Sequence, residues 1–269
     1  MGKREGEAHV NGIDIFYRIQ GEGDPLLMIM GLGANADWWY PPFLEPLEER
    51  YLVVTFDNRG AGRTTQAPGP YSIPMMAEDA AALMDHLGWS SAHVVGASMG
   101  GMIAQELALT YPDQVRKLVL MVTSCGGRES VPASPEVLGA LAMPREGLSD
   151  DDIARATLFL LFPPWFMEKN PDLMEEVVRT NTQHPIAARC FMDQLNAILA
   201  WSAYSRLGEL RHPTLVITGS EDILIPPRNA RILAEAIPDC RLVEFEGGGH
   251  GLPAQFPERA AREILSFLA

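Results

Sequence analysis

The stretch Gly96-Ala97-Ser98-Met99-Gly100 sets a hydroxyl between two glycines, directly after the apolar run AHVV (92–95). G-x-S-x-G between a strand and a helix predicts a nucleophile elbow, in which the serine stands at the tip of a tight turn. Glycines there let strand and helix approach where a Cβ would clash. A serine hydroxyl is a weak nucleophile until a base takes its proton, and that base is usually a histidine oriented by a carboxylate. Position separates His250 from the other five histidines: it lies in EGGGHGLP (246–253), just past the last apolar run. Loops at the carboxyl ends of strands are where open α/β sheets bind ligands. Two carboxylates, Glu221 and Asp222, follow the apolar run TLVITG (214–219). The shorter Asp222 suits an inward turn, and Glu221 is expected to face solvent. The chain order is then nucleophile, acid, base. These residue types imply acyl transfer through a covalent intermediate.

An oxyanion formed on attack needs donors. The backbone N–H of Met99 lies at the expected helix N-terminus and points toward developing negative charge. A second donor is expected from the loop Met30-Gly31-Leu32-Gly33-Ala34, at Leu32. Asp57 and Arg59 in DNRGAGRT (57–64) read as loop structure, ion-paired and hydrogen-bonded, rather than as catalysts.

Such groups converge only if strands deliver them to one edge. Short runs rich in Val, Ile and Leu recur at 26–30, 51–57, 92–98, 117–123, 214–219 and 241–246. Their length and composition predict strands buried on both faces. Helical patterns at 76–88 and 102–112 alternate with them, which implies a mainly parallel sheet with helices on both faces. Asn11-Gly12 between two extended stretches predicts an antiparallel hairpin. The rhythm breaks after Thr123. Helix-like segments at 149–162, 172–183 and 187–207 occupy the interval up to Pro213, as expected of a helical cap inserted between two strands.

With 269 residues and a formal net charge of −14, the chain suits one large domain plus a small insertion. The negative charge argues against nucleic acid or an anionic membrane as partner. MGKREGEAHV lacks the apolar core of a signal peptide, and no apolar run reaches the length of a membrane span, so a cytoplasmic location is expected. Cys125, Cys190 and Cys240 are too far apart for a disulfide framework or zinc site, and are expected to be buried. No metal-ligand spacing occurs.

The motifs MGLG (30–33), FDNRGAGRT (56–64), VVGASMGG (94–101), PTLVITGSEDILIP (213–226) and EGGGHGLP (246–253) together resemble the α/β-hydrolase superfamily, in its carboxylesterase and enol-lactonase branch. The resemblance implies an eight-stranded, mainly parallel sheet, with a core at 1–125 and 211–269 and a cap at 126–210 inserted after the sixth strand. It selects Asp222 as the acid beside Ser98 and His250, and implies hydrolysis of a small, mainly apolar ester or lactone without a cofactor. A homodimer is compatible with it. This sequence has Met30-Gly31 where relatives carry His-Gly. It has Ala97 where relatives that cleave carbon–carbon bonds carry asparagine, which counts against that chemistry. Ser98 excludes the aspartate-nucleophile mechanism. A binding protein without turnover is the alternative of another class, and the complete triad argues against it. Trp38, Trp165 and Trp201 are expected pocket residues.

Overall fold

The computed structural model describes residues 3–143 and 147–269; the first two residues of the N-terminal stretch and residues 144–146 of the expected cap lie outside them. Eight strands form one sheet: β1 (Arg4–Val10), β2 (Ile13–Gln20), β3 (Asp24–Ile29), β4 (Tyr51–Phe56), β5 (Ala92–Ala97), β6 (Val115–Met121), β7 (Thr214–Gly219) and β8 (Cys240–Phe245). Their order is β1-β2-β4-β3-β5-β6-β7-β8. β1 and β2 pair antiparallel, as do β2 and β4; the remaining pairs are parallel. Asn11 (φ 49°) and Gly12 (φ 73°) turn the β1–β2 hairpin with two left-handed residues in succession, the conformation that matches the twist of adjoining strands.

Alternation within each strand divides the core in two. Leu27 and Ile29 of β3, and Val94 of β5, face α2 (Ile73–His86), α3 (Met99–Thr110) and α9 (Arg228–Ala236). Leu26, Met28 and Val95 face α1 (Pro41–Glu48), α10 (Leu252–Gln255) and α11 (Pro257–Leu268). The central strands are thus buried and mostly apolar on both faces because helices cover both sides of the sheet. β8 departs from the expectation of burial on both faces: it is the sheet edge, and of its residues only Phe245 is fully buried. Cys125 and Cys190 are buried as expected, whereas Cys240, on that edge, is partly exposed.

Between β6 and β7 the chain makes a helical excursion through α4 (Pro135–Leu141), α5 (Asp150–Leu161), α6 (Pro164–Lys169), α7 (Pro171–Asn181) and α8 (Ala188–Ala200). Ser149 and Asp152 close a capping box at the start of α5, satisfying N–H groups that have no partner inside the helix. The pattern over 187–207 predicts one helix, but α8 stops at Ala200. Trp201 turns extended there, its indole N–H donates to Glu106 Oε2 at 2.8 Å, and Ala203 N–H donates to the Cys125 carbonyl at 2.8 Å. Tertiary partners beyond the end of the helix outbid its continuation.

Candidate active site

β3 pairs with β4 on one side and with β5 on the other, so the carboxyl ends of β3 and β5 flank the point where the winding of the sheet reverses. Crevices form at such switch points. Ser98 stands at the end of β5, and the loop carrying Leu32 leaves the end of β3.

The turn at Ser98 is tight by necessity. A Cβ on Gly96 would run into the Gly100 carbonyl, and one on Gly100 into the Ile29 carbonyl. With both absent, α3 begins at Met99, directly on the strand end. Ser98 itself takes φ 56° and ψ −121°, a region costly for a residue with a side chain, by about 1–3 kcal/mol. Its backbone is held from several directions. Ser98 N–H donates to the Met121 carbonyl at 2.9 Å. Its carbonyl accepts from Thr123 Oγ1 at 2.7 Å and from Gly101 N–H at 2.9 Å. The strain persists because the surrounding bonds over-determine the conformation.

Asp222 follows β7 and His250 follows β8. Both are buried, and His250 Nδ1 lies 2.8 Å from Asp222 Oδ2. The other carboxylate oxygen accepts the N–H groups of Leu224 at 2.9 Å and Ile225 at 2.8 Å. A carboxylate only accepts, so Nδ1 carries the proton and Nε2 is left as an acceptor. Glu221 is exposed and accepts a bond from Trp165 Nε1 at 3.1 Å. The structure therefore brings Asp222, not its neighbour, to His250.

Gly31 lies against Ser98: a Cβ there would stand 3.0 Å from Ser98 Cβ and 3.4 Å from Oγ. Past it, Gly33 turns with φ 71°. The N–H groups of Leu32 and Met99 have no hydrogen-bond partner among the described residues. Behind this loop lie residues of the DNRGAGRT stretch (57–64). Asn58 Nδ2 donates to the Met30 carbonyl at 2.8 Å, and Asp57 Oδ1 accepts from Ala36 N–H at 2.7 Å. Arg63 Nε donates to Asp57 Oδ2 at 2.8 Å, and Arg59 Nε to Asp79 Oδ2 at 2.8 Å. Asp57 and Arg59 are thus ion-paired loop residues, though each to a separate partner.

The three tryptophans fall in different surroundings. Trp38 follows the Leu32 loop, and its Nε1 is buried without a partner among the described residues. Trp165 is 38% exposed, with its ring 3.3 Å from where a Gly247 Cβ would stand, beside the His250 loop. Trp201 is buried in the main core with its N–H spent on Glu106. Burial works to raise the Glu106 carboxyl, but bonds from Arg206 and Trp201 outweigh it and hold the group below the usual range. A small cavity of about 90 Å³ lies between residues 159–164 and His250. A larger depression of about 330 Å³ at Glu129, Tyr204 and Ile232 is lined by none of the site residues.

Known proteins resemble this chain along nearly its whole length. A family model described as alpha/beta hydrolase fold matches residues 24–257. A putative carbamate hydrolase RutD from Azorhizobium caulinodans is 32% identical over 97% of both chains. A poly(3-hydroxyalkanoate) depolymerase from Ectopseudomonas oleovorans is 33% identical, covering 91% of this chain and 84% of that one. Among solved structures, the enol-lactonase from Burkholderia xenovorans superposes with a TM-score of 0.85 at 26% identity, over 98% of this chain and 99% of that one.

Proposed function

The chain belongs to the α/β-hydrolase fold family, and from that premise we propose that this hydrolase cleaves carboxylic ester bonds of small, mainly apolar substrates through an acyl-enzyme. Ser98 Oγ attacks the carbonyl carbon while His250 Nε2 takes the hydroxyl proton. Asp222 keeps the imidazole in the tautomer that can accept it and stabilises the imidazolium that forms. The N–H groups of Leu32 and Met99 receive the oxyanion. Collapse expels the alcohol, protonated by His250. Water, activated by the same imidazole, then releases the acid.

The observation that carries this reading is the buried Asp222–His250 hydrogen bond, formed at strand ends on the same sheet edge as the strained Ser98. Its supports are the Leu32 and Met99 N–H groups, unpartnered among the described residues, and the relatives' names, since a lactone is a cyclic ester and a poly(3-hydroxyalkanoate) a polyester. The helical excursion is read as a cap over residues 126–210, with Trp38 and Trp165 toward substrate. A carbamate is the second reading, favoured by the name of the 32%-identical relative; it differs in the acyl group and uses the same attack. The test is a panel of nitrophenyl esters of graded chain length, lactones and carbamates, run beside phosphonate labelling. Labelling at Ser98 with turnover of esters supports the proposal. Labelling elsewhere, or full turnover by Ser98→Ala, overturns it.

A further inference from the structure

Gln194 lies on α8, 161 residues beyond Gly33 in the chain, and is fully buried. Its Oε1 accepts the Gly33 N–H at 2.8 Å, and its Nε2 donates to the Arg59 carbonyl at 2.9 Å. One amide thus spans two loops of the sheet edge, the one after β3 and the one after β4. Only an uncharged group that accepts at one end and donates at the other fits both. On the same helix, Phe191 stands with its ring 3.0 Å from where a Gly33 Cβ would be. α8 thus grips the segment next to Leu32 by a hydrogen bond and by contact.

We infer that Gln194 is a positioning residue that sets the direction of the Leu32 N–H, so that the oxyanion donor is aligned only while α8 is seated. This rests on the reading of Leu32 as an oxyanion donor. Leu32 and Gly33 share a peptide neighbourhood in which the Gly33 N–H is fixed by Gln194 and Ala34 N–H by the Gly31 carbonyl at 3.3 Å. Without the first bond, the Leu32–Gly33 peptide is free to rotate about the permissive Gly33 φ of 71°, and Leu32 loses the anchor on its carbonyl side that fixes its backbone and with it the direction of its N–H. The charged groups around the amide already have partners: Arg59 pairs with Asp79, Asp57 with Arg63, and Arg189 with Asp193.

Two variants test this. Gln194→Met keeps the volume and removes both bonds. Its kcat/KM is expected to fall on the order of 10²-fold, comparable to losing one oxyanion donor. Its affinity for a boronic acid that forms a tetrahedral adduct should fall in proportion, while inhibition by a ground-state alcohol stays unchanged. Gln194→Glu reproduces both bonds only when protonated, with its C=O accepting and its O–H donating. Burial beside a carbonyl raises a carboxyl pKa, so this variant should be near wild type at low pH and lose activity as pH rises, an alkaline limb absent from wild type. Equal losses of boronate and alcohol affinity in Gln194→Met, native kinetics in that variant, or a wild-type pH profile in Gln194→Glu each overturn the inference. If Gln194→Met fails to fold, the Gln194→Glu profile decides. Phosphonate labelling of Ser98 in wild type tests the underlying hydrolase reading separately.

Discussion

His250 Nδ1 and Asp222 Oδ2 meet at 2.8 Å, while the second oxygen of that carboxylate takes the N–H groups of Leu224 and Ile225. The carboxylate is locked by its own loop before it reaches the imidazole. Asp222→Asn is therefore expected to keep the loop and present an amide N–H to Nδ1, forcing the tautomer that cannot accept from serine. Turnover should fall on the order of 10⁴-fold with a nearly unchanged melting temperature. Glu221→Gln should stay near wild-type activity. The reverse pattern in steady-state assays would make Glu221 the acid.

Ser98 at φ 56° and ψ −121° carries strain that glycine does not feel. Both Ser98→Ala and Ser98→Gly should be inactive. Ser98→Gly should melt above Ser98→Ala, because relief of about 1–3 kcal/mol exceeds glycine's unfolded-state entropy cost of about 0.4–1 kcal/mol. Differential scanning calorimetry checks the order; equal melting points would show that the elbow is unstrained.

Gly31→Ala should separate activity from stability. The added methyl lies 3.0 Å from Ser98 Cβ, a contact relieved by a shift of a few tenths of an ångström. Since a misplacement near 1 Å costs about 10²-fold, a loss of roughly tenfold or more in kcat is expected with native-like unfolding. Unchanged kcat would show that the loop and Ser98 adjust without consequence.

Trp165 and Trp201 should behave differently. Trp165→Ala, beside the His250 loop, is expected to alter the ester chain-length profile with little change in melting temperature. Trp201→Phe leaves Glu106 short of a donor and should destabilise by about 1–3 kcal/mol, read by urea unfolding, without altering that profile. A changed profile in Trp201→Phe alone would reverse the assignment.

The Glu106 carboxyl titrates below its ordinary value in the fold. A depressed carboxyl contributes stability above its unfolded pKa and loses it as pH falls through its folded pKa. Wild type should therefore lead Glu106→Gln in stability at neutral pH, and the gap should close on acidification below the usual carboxylate range. A gap independent of pH would show that Glu106 acts by shape alone.

Short runs rich in Val, Ile and Leu marked the strands from β3 onward and Asn11-Gly12 the hairpin, because both signals are local in the chain, whereas the partial exposure of β8 followed from its place at the sheet edge. The elbow was legible for the same reason: Gly96, Ser98 and Gly100 are adjacent in the chain, and their steric needs are local. His250 could be found from its place after the last strand, whereas the choice of Asp222 over Glu221 needed a family pattern. The structure then shows which carboxylate reaches the imidazole, since Asp222 bonds His250 while Glu221 takes the Trp165 indole N–H. Gln194 could not be found by motif. A glutamine on an amphipathic helix is ordinary until folding brings Gly33 and Arg59, 161 and 135 residues away, to its two ends. The end of α8 at Ala200 was hidden likewise. Local helix propensity runs on through Trp201, and only the distant Glu106 and Cys125 supply the bonds that turn the chain away.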